Sequence, residues 1–322
     1  MARILVAGAG ALGSVFGGFL QRDGHAVTLL GRREHLQAIS RSGLHLEGLW
    51  GDHCVRGFEL CSDPPRGRCF DAILVTVKSY DTAAVGRQVA PLLAADGVMI
   101  SLQNGLGNVE TLLAAVGEDR VLGGRVIFGA VLPEPGRARV TVFAEPTLLG
   151  AWPIWEEAIG ATRWPRQAAA QAEQWAGVIA RAGVPCQASA DVRAALWAKV
   201  FYNAALNPLG ALLRVHYGAL GEQADTRAIM DGIIDEAFAI AQREGVPLRW
   251  QSAAAYRELF YGQLVPSTYR HRSSMLQDLE RGRRTEIEAI NGALWRYAAA
   301  HAMNAPFNEL ITRLIRAREA VQ

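Results

Sequence analysis

The run Ile4-Leu5-Val6-Ala7-Gly8-Ala9-Gly10-Ala11-Leu12-Gly13 decides how the first half of this chain is read. Its four leading apolar residues suit a buried strand, and residues 11–21 continue with helical periodicity. Between a strand and a helix, Gly8 makes the tight turn, Gly10 lets backbone approach a phosphate, and Gly13 permits close helix–strand packing. The first turn of the helix then presents N–H groups to an anion. Glycines at this spacing also occur in ordinary flexible turns, so the motif alone is weak. The flanking strand and helix favour a dinucleotide, with Gly8, Ala9, Gly10, Ala11, Leu12 and Gly13 around its pyrophosphate.

Outward from this turn, short β-rich runs (residues 4–7, 26–30, 72–77, 98–102 and 121–132) alternate with helical patterns such as 82–93. That alternation predicts a mostly parallel sheet with crossover helices, a Rossmann-type α/β domain. Residues 140–143 and 147–149, set among Pro133, Pro135, Gly136 and Pro146, read as antiparallel strands appended to it. After Val184-Pro185-Cys186 the strand pattern stops. The remainder reads as helices over 192–213, 220–244, 251–262, 285–301 and 306–318. The expected organisation is a cofactor-binding domain over residues 1–188 and an all-α substrate domain over 189–322. Residues 151–170, rich in Trp, Pro and Ala, read as an insertion before the last helix of the first domain, with no assigned role.

Half of the 322 residues are hydrophobic and a fifth are charged, enough apolar material for two cored domains. The 33 basic and 31 acidic residues nearly balance and form no long run of one sign, so nucleic acid is not an expected partner. Cys54, Cys61, Cys69 and Cys186 lack CxxC spacing and a neighbouring His pair; no metal site is expected, and the thiols read as reduced. The first apolar run is too short for a signal-peptide core, and no stretch of about 18 residues lacks polar groups. The expectation is a cytoplasmic protein with no membrane span. The oligomeric state is left open, a homodimer being one option.

NAD-binding turns of this kind are followed about 20 residues later by an acidic residue that accepts from the ribose 2′-hydroxyl. Here the second strand is followed by Gly31-Arg32-Arg33. A guanidinium at that point would pair with a 2′-phosphate, which favours NADP, although both arginines could be solvated surface charges. Lys78 and Asn104-Gly105 fall at carboxyl ends of strands, where open α/β sheets bind ligands. Each could equally be a plain turn residue.

In the helical half, Lys199, Asn203 and Asn207 recur every four residues and share one helix face. The flanking Leu196, Trp197, Val200, Phe201 and Leu206 suit a buried helix. A solvated stripe is the bland alternative. A buried lysine and two amides need polar partners, and a substrate carbonyl, hydroxyl or carboxylate would serve. Partial desolvation would bring the lysine toward a range useful for acid catalysis. A second polar cluster spans Ser273 to Asp278 and Arg283 to Asn291; there Thr285 could cap a helix with Glu286 and Glu288 in its first turn.

Together these segments resemble the ketopantoate reductase (2-dehydropantoate 2-reductase) family over nearly the whole chain. The resemblance is carried by the glycine turn Gly8 to Gly13, Val77-Lys78-Ser79-Tyr80, Gln103-Asn104-Gly105, the segment Leu196 to Asn203 with Asn207-Pro208-Leu209, and Ser273 to Asp278 with Thr285-Glu286-Ile287. It implies a Rossmann domain joined to an all-helical domain of the hydroxyacid-dehydrogenase type, with the active site in the cleft between them. It further implies that NADPH reduces ketopantoate to pantoate, in pantothenate biosynthesis, with Lys199 as proton donor and Glu286 as its catalytic companion. By the same resemblance Asn104, Asn203, Asn207 and Ser274 meet the substrate, a small 2-oxo acid. Arg32, Lys78, Asn104, Ala130 and Glu286 join the glycine turn at the cofactor.

The residue types suit that chemistry, because an ammonium can both stabilise and protonate a developing alkoxide. One departure stands out. Many family members carry an Asn-Gly pair about ten residues beyond the position of Asn207, its asparagine touching substrate, whereas this chain has Tyr217-Gly218. Two rival readings remain at this stage: an NADP-linked reductase of a different 2-oxo or 3-hydroxy acid, and a non-catalytic NADP-binding regulator. Retention of Lys199, Asn203 and Glu286 speaks against the second.

Overall fold

The computed structural model describes residues 1–156, 161–163 and 165–321. The chain divides into two compact units, one of Met1–Gln103 with Asn108–Arg193, the other of Asn104–Gly107 with Ala194–Gln322.

In the first unit, β1 (Arg3–Ala7), α1 (Ala11–Arg22) and β2 (Ala26–Leu30) form the opening βαβ. They are followed by α2 (Arg33–Ser42), β3 (Leu44–Gly48), β4 (His53–Val55), β5 (Glu59–Cys61) and β6 (Phe70–Val75). Next come α3 (Thr82–Val89), β7 (Leu93–Ser101), α4 (Asn108–Val116), β8 (Val121–Val131) and β9 (Arg137–Ala151). The hairpin of β10 (Ile154–Glu156) and β11 (Ala161–Arg163), helix α5 (Arg166–Ala182) and β12 (Cys186–Ala188) complete it. The strands lie in the order β4-β3-β9-β8-β7-β6-β1-β2-β5, with β12 beside β9. From β8 to β5 all neighbours are parallel; β9 runs antiparallel to β8, and β4 to β3. The mostly parallel sheet expected from the alternating pattern is therefore present. Ile4, Leu5, Val6 and Ala7 are wholly buried, as a strand covered on both faces requires.

The two antiparallel strands read at 140–143 and 147–149 are parts of one strand, β9. Its register against β8 shifts between Arg125 and Ile127, which pair with Leu148 and Glu145, so β9 carries one extra residue there. Pro146 sits in that bulge, where no ladder N–H is needed, and its carbonyl accepts from Arg125 Nη2. Within the stretch 151–170, the described residues form the β10–β11 hairpin and the start of α5; residues 157–160 and 164 lie outside the described residues.

The second unit is helical: α6 (Val192–Leu213), α7 (Tyr217–Glu222), α8 (Ala224–Arg243), α9 (Ala253–Leu259), α10 (Val265–Ser267), α11 (Ser274–Glu280), α12 (Asn291–Ala300) and α13 (Pro306–Ala320). Three expected boundaries move. The helix read over 220–244 breaks at Gln223, where Thr226 Oγ1 takes up the Leu220 carbonyl. The helix read over 251–262 passes through a π-turn at Phe260–Leu264 into α10. The helix read from Thr285 starts only at Asn291, because the Ala289 carbonyl accepts from Leu106 N–H instead of the next helical turn. Thr285 is not the cap read from sequence: the short 3₁₀ turn Ile287–Ala289 has Glu286 at its N-cap position, and Thr285, one residue earlier, accepts from Ile287 N–H at 3.3 Å.

Among the described residues no helix is long and apolar enough to cross a membrane, and no group of three or more His, Cys, Asp or Glu side chains could hold a metal ion.

Candidate active site

The sheet reverses its winding between β1 and β6: the chain moves outward from β1 to β2, then returns to lay β6 on the other side. Ligands of open α/β sheets bind outside the carboxyl ends of strands at such a switch point. The glycine turn lies there. Gly8 has φ +114°, and a Cβ on it would stand 2.6 Å from Val77 N, so the turn is pressed against the end of β6. Thr76 Oγ1 donates to the Gly8 carbonyl at 2.7 Å. A Cβ on Gly13 would stand 2.2 Å from Gly8 O, whereas one on Gly10 would meet nothing closer than Gly8 O at 3.9 Å. Gly10 stands at the N-cap of α1 and supplies no side-chain cap to the first-turn N–H groups. An uncapped helix end beside a Cβ-sized opening is a fit for the pyrophosphate of a dinucleotide.

Gly31 packs against Ala9, a Cβ there standing 2.8 Å from Ala9 Cβ, so Arg32 leaves β2 beside the glycine turn. Arg32 caps α2, and its side chain is exposed with no ion pair or hydrogen bond among the described residues. Helix α2 is fastened behind it by His35, whose Nδ1 accepts from Gly136 N–H at 3.0 Å while Nε2 meets Ser14 Oγ at 2.9 Å. Burial pushes the His35 imidazole below its ordinary pKa. Lys78, half-buried, follows β6 and caps a 3₁₀ turn at Ser79–Asp81. Ala130 is paired with Val140 in the β8–β9 ladder.

In the helical unit, α6 carries Lys199, Asn203 and Asn207 on one face, while Trp197, Val200, Phe201 and Leu206 are buried at 1% exposure or less. Pro208 lies inside this helix and can offer no N–H to the Ala204 carbonyl; Asn291 Nδ2 donates to that oxygen instead, at 3.1 Å. The helix thus survives its proline, with Asn207 held at the preceding position.

Lys199 Nζ donates to Asn104 Oδ1 at 2.7 Å. A pocket in this unit is lined by Asn104, Asn207, Ser274, Met275, Asp278, Glu286 and Ile290. Four residues singled out from sequence, Asn104, Asn207, Ser274 and Glu286, therefore meet at one pocket, with Lys199 bonded to its rim. Asn203 is buried on the same helix face but does not line it. Sequence reasoning left Met275, Asp278 and Ile290 without a site role. Asp278 was within reach: it lies four residues after Ser274, hence on the same face of α11, and faces Arg283 Nη2 at 3.4 Å. Ser273 Oγ accepts from Leu276 N–H as the cap of α11 and donates to the Asn207 carbonyl, tying α11 to α6.

The sequence profile described as Ketopantoate reductase PanE/ApbA matches residues 4–153, and the one described as Ketopantoate reductase PanE/ApbA C terminal matches residues 191–319. The chain belongs to the ketopantoate reductase family. It is 36% identical to the 2-dehydropantoate 2-reductase of Aquifex aeolicus over 98% of this chain and 97% of that protein. A crystal structure of a PanE/ApbA family ketopantoate reductase from Ralstonia eutropha JMP134 superposes with a TM-score of 0.84 at 33% identity, covering 99% of this chain and 98% of that one. A ternary structure of D-mandelate dehydrogenase with NADH and anilino(oxo)acetate reaches a TM-score of 0.85 at 24% identity, covering 99% and 98%, a likeness of fold. The family and its fold thus agree with the resemblance read from the motifs.

Proposed function

We propose that the protein is an NADP-dependent 2-dehydropantoate 2-reductase, reducing ketopantoate to pantoate in the cytoplasm as a step of pantothenate synthesis. Residues 1–188 would form its cofactor-binding domain and 189–322 its substrate domain. The observation that carries the reading is the Lys199 ammonium bonded to Asn104 Oδ1 at the rim of a pocket lined by Asn207, Ser274 and Glu286. The open glycine turn supports a dinucleotide, held by Gly8 to Gly13 with Lys78 and Ala130 nearby. The exposed guanidinium of Arg32 beside that turn supports the 2′-phosphate of NADP.

When bound, NADPH supplies the hydride to the ketone carbon. The rest is the work of the chain. As charge builds on the carbonyl oxygen, Lys199 stabilises it and delivers a proton from Nζ. Asn104 holds that nitrogen through an amide oxygen, which orients the ammonium without neutralising it. Asn203, Asn207 and Ser274 offer uncharged polar groups to orient the substrate, and Glu286 accepts from a substrate hydroxyl or from the lysine.

Tyr217 favours a second reading, a reductase of a related 2-oxo acid, because a tyrosine stands where the family resemblance leads one to expect a substrate asparagine. A screen of 2-oxo acids with NADPH consumption as readout decides between them. Ketopantoate turned over much faster than pyruvate, and faster with NADPH than with NADH, is the expected result. Turnover of another 2-oxo acid with none on ketopantoate would overturn the substrate assignment. NADPH binding without turnover of any would favour a regulator.

A further inference from the structure

Tyr217 does more than replace an asparagine. Its hydroxyl donates to Asn207 Oδ1 at 2.6 Å. The side chain is 2% exposed, and its hydroxyl bonds to nothing else among the described residues. A buried phenol must place its proton on an acceptor, and a primary amide accepts only at oxygen, so this bond fixes which way the Asn207 amide faces. With Oδ1 engaged by Tyr217 and Asn207 among the residues lining the pocket, Nδ2 is the amide group left to meet a ligand.

The tyrosine is itself held in place. Its N–H donates to the His271 carbonyl at 3.1 Å, and Gly218 N–H donates to the Tyr269 carbonyl at 2.8 Å. A Cβ on Gly218 would stand 2.2 Å from the Tyr269 ring, so that pairing tolerates no side chain. The Tyr217 ring sits edge-on to Tyr202, 5.7 Å between centroids, and the Tyr202 hydroxyl is engaged with Thr268 Oγ1. Burial pushes the Tyr217 hydroxyl well above its ordinary pKa, so it keeps its proton.

We propose that Tyr217 is a positioning residue that makes Asn207 a dedicated hydrogen-bond donor to a distal acceptor oxygen of the substrate, separate from the carbonyl that Lys199 protonates. Lys199 and Asn207 stand eight residues apart on α6, about 12 Å along the axis, and so address separated points of a ligand. The substrate class is a 2-oxo acid with a second, remote oxygen that accepts a hydrogen bond. This rests on the reductase reading above.

Tyr217→Phe removes the proton and keeps the ring. For ketopantoate, KM should rise about three- to tenfold, the worth of one neutral hydrogen bond, with kcat and NADPH affinity within about twofold of wild type. For 3,3-dimethyl-2-oxobutanoate, which lacks the distal hydroxyl, KM should not move. In an Asn207→Ala background, Tyr217→Phe should add nothing. Equal rises for both substrates, or an undiminished effect in the Asn207→Ala background, would overturn the proposal. If the wild type turns over no 2-oxo acid, the functional reading fails by itself. The Asn207 side-chain amide signals of ¹⁵N-asparagine-labelled protein, assigned by their loss in Asn207→Ala, then decide: a shift in Tyr217→Phe is expected, and unchanged signals reject the role of Tyr217.

Discussion

Lys199 on α6 and Asn104 in the loop after β7 are 95 positions apart in sequence, yet Lys199 Nζ donates to Asn104 Oδ1 at 2.7 Å. That bond orients the ammonium through an uncharged acceptor.

If Lys199 is the acid, Lys199→Ala should lower kcat by about 10²- to 10⁴-fold, the usual worth of a positioned proton donor. NADPH affinity, read by fluorescence titration, should stay near the wild-type value. Asn104→Ala keeps the ammonium and loses the amide oxygen that orients it, so its kcat should fall less. Near-normal turnover in the alanine variant of Lys199 would remove it from the acid role.

If Arg32 pairs with the 2′-phosphate, it separates two cofactors that differ by one phosphate. A charge-assisted bond of this type contributes about 1.5–3 kcal/mol, so Arg32→Ala should weaken NADPH binding by about 10- to 150-fold. NADH affinity should barely change. Isothermal titration with both nucleotides checks this; a parallel loss for NADH would show that Arg32 acts on the turn rather than on the 2′-phosphate.

Much of the first unit was legible because its signals are local. The run from Ile4 to Gly13 contains a strand, a turn and a helix start within ten residues, and their periodicities are distinct. Lys199, Asn203 and Asn207 were legible for the same reason, since four-residue spacing fixes a shared helix face. What sequence could not give is contact across the chain. Nothing local announces that the Ala289 carbonyl is claimed by Leu106 N–H, and so the helix start was placed at Thr285 instead of Asn291. Likewise the sequence marks Tyr217 only as a departure from the family's Asn-Gly pair, and that its hydroxyl lies on Asn207 shows only in the structure.

Gly10 and Gly13 offer a contrast between function and folding. A methyl group at Gly10 meets nothing beyond its chain neighbours closer than Gly8 O at 3.9 Å, so Gly10→Ala should keep the wild-type Tm while obstructing the approach of phosphate. At least about a tenfold loss of NADPH affinity is expected, since backbone bonds to a charged group are lengthened or lost. At Gly13 the same methyl group would stand 2.2 Å from Gly8 O and 2.7 Å from Thr76 Oγ1. Gly13→Ala should therefore destabilise the protein by about 1–3 kcal/mol as well as weaken cofactor binding. Differential scanning fluorimetry with and without NADPH distinguishes the two, and a lowered Tm for Gly10→Ala in the absence of nucleotide would contradict the open space at that position.

His35 makes the first unit sensitive to acid. Its Nδ1 accepts from Gly136 N–H and so cannot carry a proton; the Nε2 proton is then the one shared with Ser14 Oγ. Burial holds the folded-state pKa below the ordinary value of about 6.5. Below that pH the unfolded chain binds a proton at His35 and the folded chain does not, so stability falls as pH falls, by at most about 1.4 kcal/mol per pH unit, until the folded pKa is passed. The stabilisation is thus present above pH of about 6.5 and lost on acidification. His271, also pushed down by burial, adds a term of the same sign in the helical unit. His35→Gln cannot titrate, so it should be less stable than wild type at pH 7.5 but lose less on acidification. The gap between the two denaturation midpoints should narrow from pH 7.5 to pH 5 as the wild type alone takes on this penalty; a gap of constant size would mean that His35 is not the titrating group. Because α2 begins next to Arg32, the same acidification should weaken NADPH binding in the wild type more than in His35→Gln.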